Sequence, residues 1–200
     1  MAGYGRVMPI VPDDKNWTWV LERACPDCGF EASKFDPSTV RGVIEANALR
    51  WRELLADPRA TTRPDDNTWS ATEYGCHVRD AYRLYLLRLE SMLYEDNPSF
   101  ENWDQDDTAV RQAYDRAQPH DVAGELHATA GMLSARYATV GGAQWQRTGT
   151  RSDGVEFTID SFTRYMVHDP VHHVWDAEQG YRKIGGGGSP WAAPTGVPAG

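Results

Sequence analysis

Residues 70–94 read SATEYGCHVRDAYRLYLLRLESMLY. Ser70-Ala-Thr-Glu73 has the form of a capping box, in which a hydroxyl and a carboxylate satisfy backbone donors that a helix start leaves open. Tyr74, His77, Val78, Ala81, Leu84, Tyr85 and Leu89 then recur at helical spacing on one broad face. The pattern predicts a helix over 71–94 with His77 on its apolar side.

Three more long helices follow from the same signals. Asp36 caps and Pro37 opens a segment over 37–56, where Val40, Val43, Ile44, Ala48, Trp51, Leu54 and Leu55 form a stripe. Pro119-His120-Asp121 starts another, about 121–139, through Val122, Leu126, Ala130, Leu133 and Tyr137, ending at Gly141-Gly142. The last covers 159–182, with Ile159, Phe162, Tyr165, Met166, His172 and Trp175 inward. Pro170 lies inside it and cannot donate to the carbonyl of Met166, which predicts a kink between His168 and His172. A short helix is expected over 107–117. Ser152-Asp153-Gly154 predicts a short hairpin or extended loop within 145–157. The expected architecture is all-α: a four-helix bundle over 36–183, an irregular N-terminal arm over 1–35 and a flexible Gly/Pro/Ala tail over 184–200.

The chain has 200 residues, 40 % of them hydrophobic, enough for one buried core. A net charge of −9 without any Lys/Arg cluster speaks against a nucleic-acid surface. No apolar run approaches the roughly 18–20 residues of a membrane span. Met1 to Ile10 lacks a basic start and an apolar core, so no signal peptide is expected and the location is read as cytoplasmic. The cysteines are Cys25, Cys28 and Cys76, an odd number that argues against a disulfide scaffold.

The chemistry concentrates in His168-Asp-Pro-Val-His172-His173. An i,i+4 pair lies on one helix face, so the rings of His168 and His172 can reach one ion. With His77 from the other helix they would make an open three-imidazole site suited to zinc, nickel, copper or iron, able to activate water or a thiol. The competing reading makes His77 and His172 hydrogen-bonded core residues and turns His168 to solvent. His173 points about 100° away from His172 and is read as a neighbour of the site. Asp169, Asp176 and Asp80 are either acceptors that set an imidazole tautomer or solvated surface charges.

Cys25-Pro-Asp-Cys28-Gly29 resembles half of a zinc knuckle, but no second CxxC completes it. Two reduced thiols shaping a turn, a structural zinc site and a redox pair are the readings, in that order. His120 and His127 read as ordinary. There is no Gly-x-Ser-x-Gly and no phosphate-binding glycine loop.

Trp69-Ser-Ala-Thr-Glu-Tyr-Gly-Cys-His77-Val-Arg-Asp80, followed downstream by Arg164-Tyr-Met-Val-His168-Asp-Pro-Val-His172-His173-Val-Trp-Asp176, resembles the DinB superfamily over about 37–182. Its relatives include mycothiol-dependent maleylpyruvate isomerases and bacillithiol or mycothiol S-transferases. The resemblance implies an up-down-down-up four-helix bundle. It also implies a divalent metal, often zinc or nickel, held by one side chain of the second helix and two, four apart, of the fourth. Carried over, the ligands are His77, His168 and His172. The isomerase branch has a carboxylate as first member of the late pair; His168 occupies that place here, which points to the all-His branch. The arm with Trp17, Trp19 and its CxxC resembles actinobacterial members, where mycothiol is the expected thiol.

The implied activity is S-transfer from a low-molecular-weight thiol to a small electrophile, with the metal holding the sulfur as thiolate. Arg79 and Arg164, near the motifs, would bind carboxylates or form surface salt bridges. Hydrolysis by metal-activated water, a non-catalytic metal- or small-molecule-binding stress-response protein, and a structural bundle with buried histidines are the alternatives. A homodimer is compatible with all of these.

Overall fold

A computed structural model describes residues 16–185. The first fifteen residues of the arm, and the tail beyond residue 185, lie outside the described residues. Four long helices build the core: α1 (Val40–Leu55), α2 (Ala71–Tyr94), α4 (Pro119–Tyr137) and α5 (Ile159–Lys183), with a short α3 (Gln105–Arg111) between the second and third of them.

α1, α2, α3 and α5 start where the sequence supplies a local side-chain partner for open N–H groups, whereas α4 has no such cap and opens on Pro119. Asp36 accepts from the Ser38 N–H, and a 3-10 turn over Pro37–Thr39 leads into α1. At α2 the capping box forms in full, with Ser70 N–H donating to Glu73 at 2.8 Å and Glu73 N–H to Ser70 Oγ at 3.3 Å. Thr158 and Ser161 make the corresponding box at α5. The segment expected as a helix over 107–117 instead divides. Ala113 adopts a left-handed conformation (φ 51°), which ends α3 and starts a 3-10 turn over Tyr114–Arg116.

α1 and α2 each pack chiefly against α4 and α5, and touch one another less. The apolar stripes read from sequence fill the space between them: Ile44, Ala48, Trp51, Ala81, Leu89, Leu126, Leu133, Phe162 and Met166 are almost wholly buried, as is Tyr82, which the sequence stripe does not include. The expected hairpin is present as β2 (Thr148–Arg151) antiparallel to β3 (Glu156–Thr158). A two-residue β1 (Ser99–Phe100) adds to it in parallel. Its turn uses Gly154 at φ +87°, a conformation in which a side chain is strained. β3 runs directly into the cap of α5 and so fixes where that helix begins.

α5 continues through Pro170 without interruption. Asn47, fully buried on α1, donates from Nδ2 to the Pro170 carbonyl at 2.7 Å and accepts from the Tyr82 hydroxyl of α2 at 2.9 Å. Three helices are thereby tied together at the level of the histidine-rich turn. The described part of the arm folds back along α5 in short 3-10 turns, burying Val20, Cys25, Ala32 and Phe35. Arg164 of α5 donates to the carbonyls of Ala32 and Phe35 and so grips the arm. Among the described residues no helix is long and apolar enough to cross a membrane.

Candidate metal centres

The sequence 168–173 contains two i,i+4 pairs in adjacent registers, His168/His172 and Asp169/His173. One residue along a helix turns the side chain by about 100°, so the two pairs leave α5 on different faces. The structure gives each face its own partners. Among the described residues His77, His168 and His172 do not form one ligand group. His77 meets Asp169 and His173, whereas His168 and His172 meet Cys25 and Cys28.

In the first group one carboxylate oxygen is the focus. Asp169 Oδ1 lies 3.2 Å from His77 Nε2 and 3.2 Å from His173 Nε2. Two imidazole nitrogens and a carboxylate oxygen around zinc, at about 2.0–2.2 Å from it, stand about 2.9 Å apart at right angles and about 3.4 Å apart in a tetrahedron. Both carboxylate-to-imidazole separations fall between these limits, and all three donor atoms lie within 4.8 Å of one another, so the donor set fits a divalent ion. The outer contact at His173 fits as well, whereas His77 Nδ1 is buried with no hydrogen-bond partner among the described residues. His173 Nδ1–H donates to Asp176 Oδ2 at 2.8 Å, the arrangement that fixes a ligating histidine's tautomer and frees its Nε2 lone pair. The Tyr85 hydroxyl approaches the other carboxylate oxygen, Asp169 Oδ2, at 3.4 Å.

Aromatic packing orients the rings. His77 stacks on Trp103 (5.1 Å between centroids) and tilts against Trp69 (5.8 Å), while Tyr74 stacks on His173 (5.2 Å). The side chain of His77 is 1 % exposed, that of His173 16 % and that of Asp169 22 %, so the α5 members of the group are partly reached by solvent and His77 is not. Burial resists ionisation of Asp169, but the imidazoles of His77 and His173 outweigh it and hold its carboxyl well below the usual range. For His173 burial opposes the charge, and the hydrogen bonds to Asp169 and Asp176 overcome it, raising the pKa to about 10 in the metal-free protein.

The second group joins the arm to α5. Cys25 Sγ is 3.6 Å from His172 Nδ1, across 147 residues of sequence. A turn closed by Gly29 N–H to the Cys25 carbonyl, with Gly29 at φ +75°, presents Cys28 beside it. Trp17, Trp19 and Phe30 cover His168, with centroids 5.5, 6.4 and 5.9 Å away. Burial and the neighbouring His172 push the His168 pKa down to about 3, so its ring is neutral. Burial likewise pushes the Cys28 thiol up to about 12, unlike the depressed pKa of a nucleophilic or redox cysteine.

The remaining sequence candidates are engaged elsewhere. Asp80 accepts from Arg79, Arg83 and Tyr114 rather than from His77. Arg79 also pairs with Glu125, and Arg164 holds Asp160 and the arm. His120 and His127 are exposed. The ligand candidates passed over in the sequence were Asp169 and His173. Their signal was the second i,i+4 pair, one residue out of register with the first.

The chain as a whole resembles known proteins. The solved structure of YfiT from Bacillus subtilis, described as "a probable metal-dependent hydrolase with an unusual four-helix bundle topology", superposes with a TM-score of 0.67 at 18 % identity, covering 76 % of this chain and 89 % of that one. At that identity the likeness is one of fold. No curated protein matches the chain. Residues 26–177 match the DinB superfamily, a span that includes every residue of both groups except Cys25. The chain belongs to the DinB superfamily.

Proposed function

We propose that His77, Asp169 and His173 hold one divalent ion, zinc or nickel, and that the protein uses it to hydrolyse a small molecule. The observation that carries this reading is the convergence of three donors from α2 and α5 on one point, with Asp176 gripping the outer nitrogen of His173. A divalent ion in an open three-ligand site supplies Lewis acidity and brings the pKa of a bound water or thiol toward neutrality.

The chain's own residues do the rest. Trp69 and Trp103 hold the His77 ring in its plane. Asp176 keeps the proton of His173 on Nδ1, so that Nε2 faces the site. Tyr85 engages Asp169 Oδ2 and leaves Oδ1 toward the histidines. The partial exposure of Asp169 and His173 leaves a side by which substrate enters. The description of YfiT as a metal-dependent hydrolase supports choosing water as the nucleophile.

A second reading, S-transfer from a mycothiol-type thiol, has its own support. The pair Asp169/His173 matches the carboxylate-then-histidine pattern that the resemblance attributes to the thiol-dependent isomerase branch. The test is to assay zinc- and nickel-loaded protein on panels of amides, esters and electrophiles, with and without a low-molecular-weight thiol, beside His77→Ala and Asp169→Asn. Turnover without thiol, lost in both variants, is the expected result. Turnover only with thiol would replace hydrolysis by the second reading. Bound metal with no turnover in either panel would overturn both in favour of a non-catalytic binding protein.

A further inference from the structure

The group not used above is a complete ligand set in its own right. Cys25-x-x-Cys28 and His168-x-x-x-His172 have the C-x2-C…H-x3-H spacing of a structural zinc site, split between the arm and the last helix. We propose that Cys25, Cys28, His168 and His172 bind one structural zinc ion that fastens the N-terminal arm to α5. Binding releases the two thiol protons to solvent, and two thiolates neutralise the dication in a buried site. The inference does not depend on the proposed activity, and it concerns a separate ion.

Three observations carry it. One donor atom from each of the four side chains lies within 4.8 Å of all the others. A thiolate at about 2.3 Å and an imidazole nitrogen at about 2.0–2.1 Å from a tetrahedral zinc stand about 3.6 Å apart. The Cys25 Sγ to His172 Nδ1 distance is 3.6 Å, the separation of two ligands of one ion and also within the reach of a thiol–imidazole hydrogen bond. Second, His168 Nε2 is buried with no hydrogen-bond partner among the described residues, although buried polar atoms ordinarily have one. Third, among the described residues the site is largely closed. Cys25, His168 and His172 are buried and Cys28 is half-buried, and Trp17, Trp19, Phe30 and Trp175 pack around the imidazoles. Four ligands in a closed pocket describe a structural site, whereas the three-donor group at His77 describes an open one. Asp176 stands between the two. Its Oδ2, bonded to His173 Nδ1, is 3.6 Å from His172 Nε2.

Cobalt(II) substitution of the full chain separates the two centres, because only a site with cysteine ligands gives thiolate-to-cobalt charge-transfer absorption. The wild-type cobalt protein is expected to show that band together with the strong visible bands of a tetrahedral ion. His77→Ala should keep it, and Cys28→Ser and His168→Ala should lose it. Elemental analysis should show one zinc lost in Cys25→Ser and retained in His77→Ala. Should the cysteine variants fail to fold, the wild-type protein decides alone. Cys25 and Cys28 should resist alkylation until a chelator removes the metal. Absence of the charge-transfer band in the wild type, prompt alkylation of both thiols at full zinc content, or recovery of Cys25 and Cys28 as a disulfide would each overturn the proposal. Failure of the hydrolase reading would leave the band untouched.

Discussion

Removing the Asp176 carboxylate should weaken metal binding at His77, Asp169 and His173 while leaving the fold intact. Asp176 accepts from His173 Nδ1–H at 2.8 Å, and both side chains are mostly buried, at 17 % and 16 % exposed. A hydrogen bond to a charged group is worth about 1.5–3 kcal/mol and a neutral one about 0.5–1.5 kcal/mol. Asp176→Asn keeps the shape and loses the charge, a difference of about 1–1.5 kcal/mol, or about tenfold in affinity. Asp176→Ala also removes the acceptor, and the loss should approach about 100-fold, the upper range for outer partners of metal-bound histidines. The assay is competition of each variant against a chromophoric chelator, with circular dichroism to check helicity. The contact to His172 Nε2 is 3.6 Å, beyond a hydrogen bond, so the cobalt–thiolate band at the other centre should persist. Affinity of Asp176→Ala within twofold of wild type would refute the claim that this carboxylate sets the His173 tautomer, and would remove a main support of the three-donor site.

Two other expectations concern the scaffold that aims these groups. Asn47→Ala strands the Tyr82 hydroxyl and removes a donor to the Pro170 carbonyl, both in the core, and should cost about 2–4 kcal/mol. Urea unfolding should show a lower midpoint at constant m value, and a loss under about 0.5 kcal/mol would contradict the clamp. Asp80 supplies a pH test: burial resists its ionisation, but hydrogen bonds from Arg79 and Tyr114 and the charges of Arg79 and Arg83 outweigh burial and lower its pKa. Its stabilising contribution is therefore present above the unfolded value of about 3.9 and is lost as pH falls through the lower folded value. Asp80→Asn should melt lower than wild type at neutral pH, with the gap closing in strong acid; a gap constant with pH would exclude this role.

Much of the architecture was legible because its causes are local. The capping box at Ser70 and Glu73 and the periodic face behind it are properties of neighbouring residues, and α2 covers the span expected from them. The same holds for α5, which runs one residue beyond its expected end. Short-range steric detail was less accessible. Ala113 takes a left-handed conformation that nothing in its immediate sequence announces, so one expected helix became a helix and a 3-10 turn. Pro170 signalled a disturbance, but the Asn47 contact to its carbonyl comes from a residue 123 positions away.

The sequence by itself determined that side chains able to ligate a metal stand in helical register: His77 on the inner face of α2, and two overlapping i,i+4 pairs on α5. Only the tertiary structure decided which pair meets which partner. Adjacent registers on a helix differ by about 100°, and no local signal says which face of α5 looks toward α2 and which toward the arm. Packing settled that rotation, turning Asp169 and His173 to His77 and bringing Cys25 and Cys28 to His168 and His172. A contact across 147 residues is a product of the whole core, and so the division of one cluster of histidines into two candidate centres was a tertiary outcome.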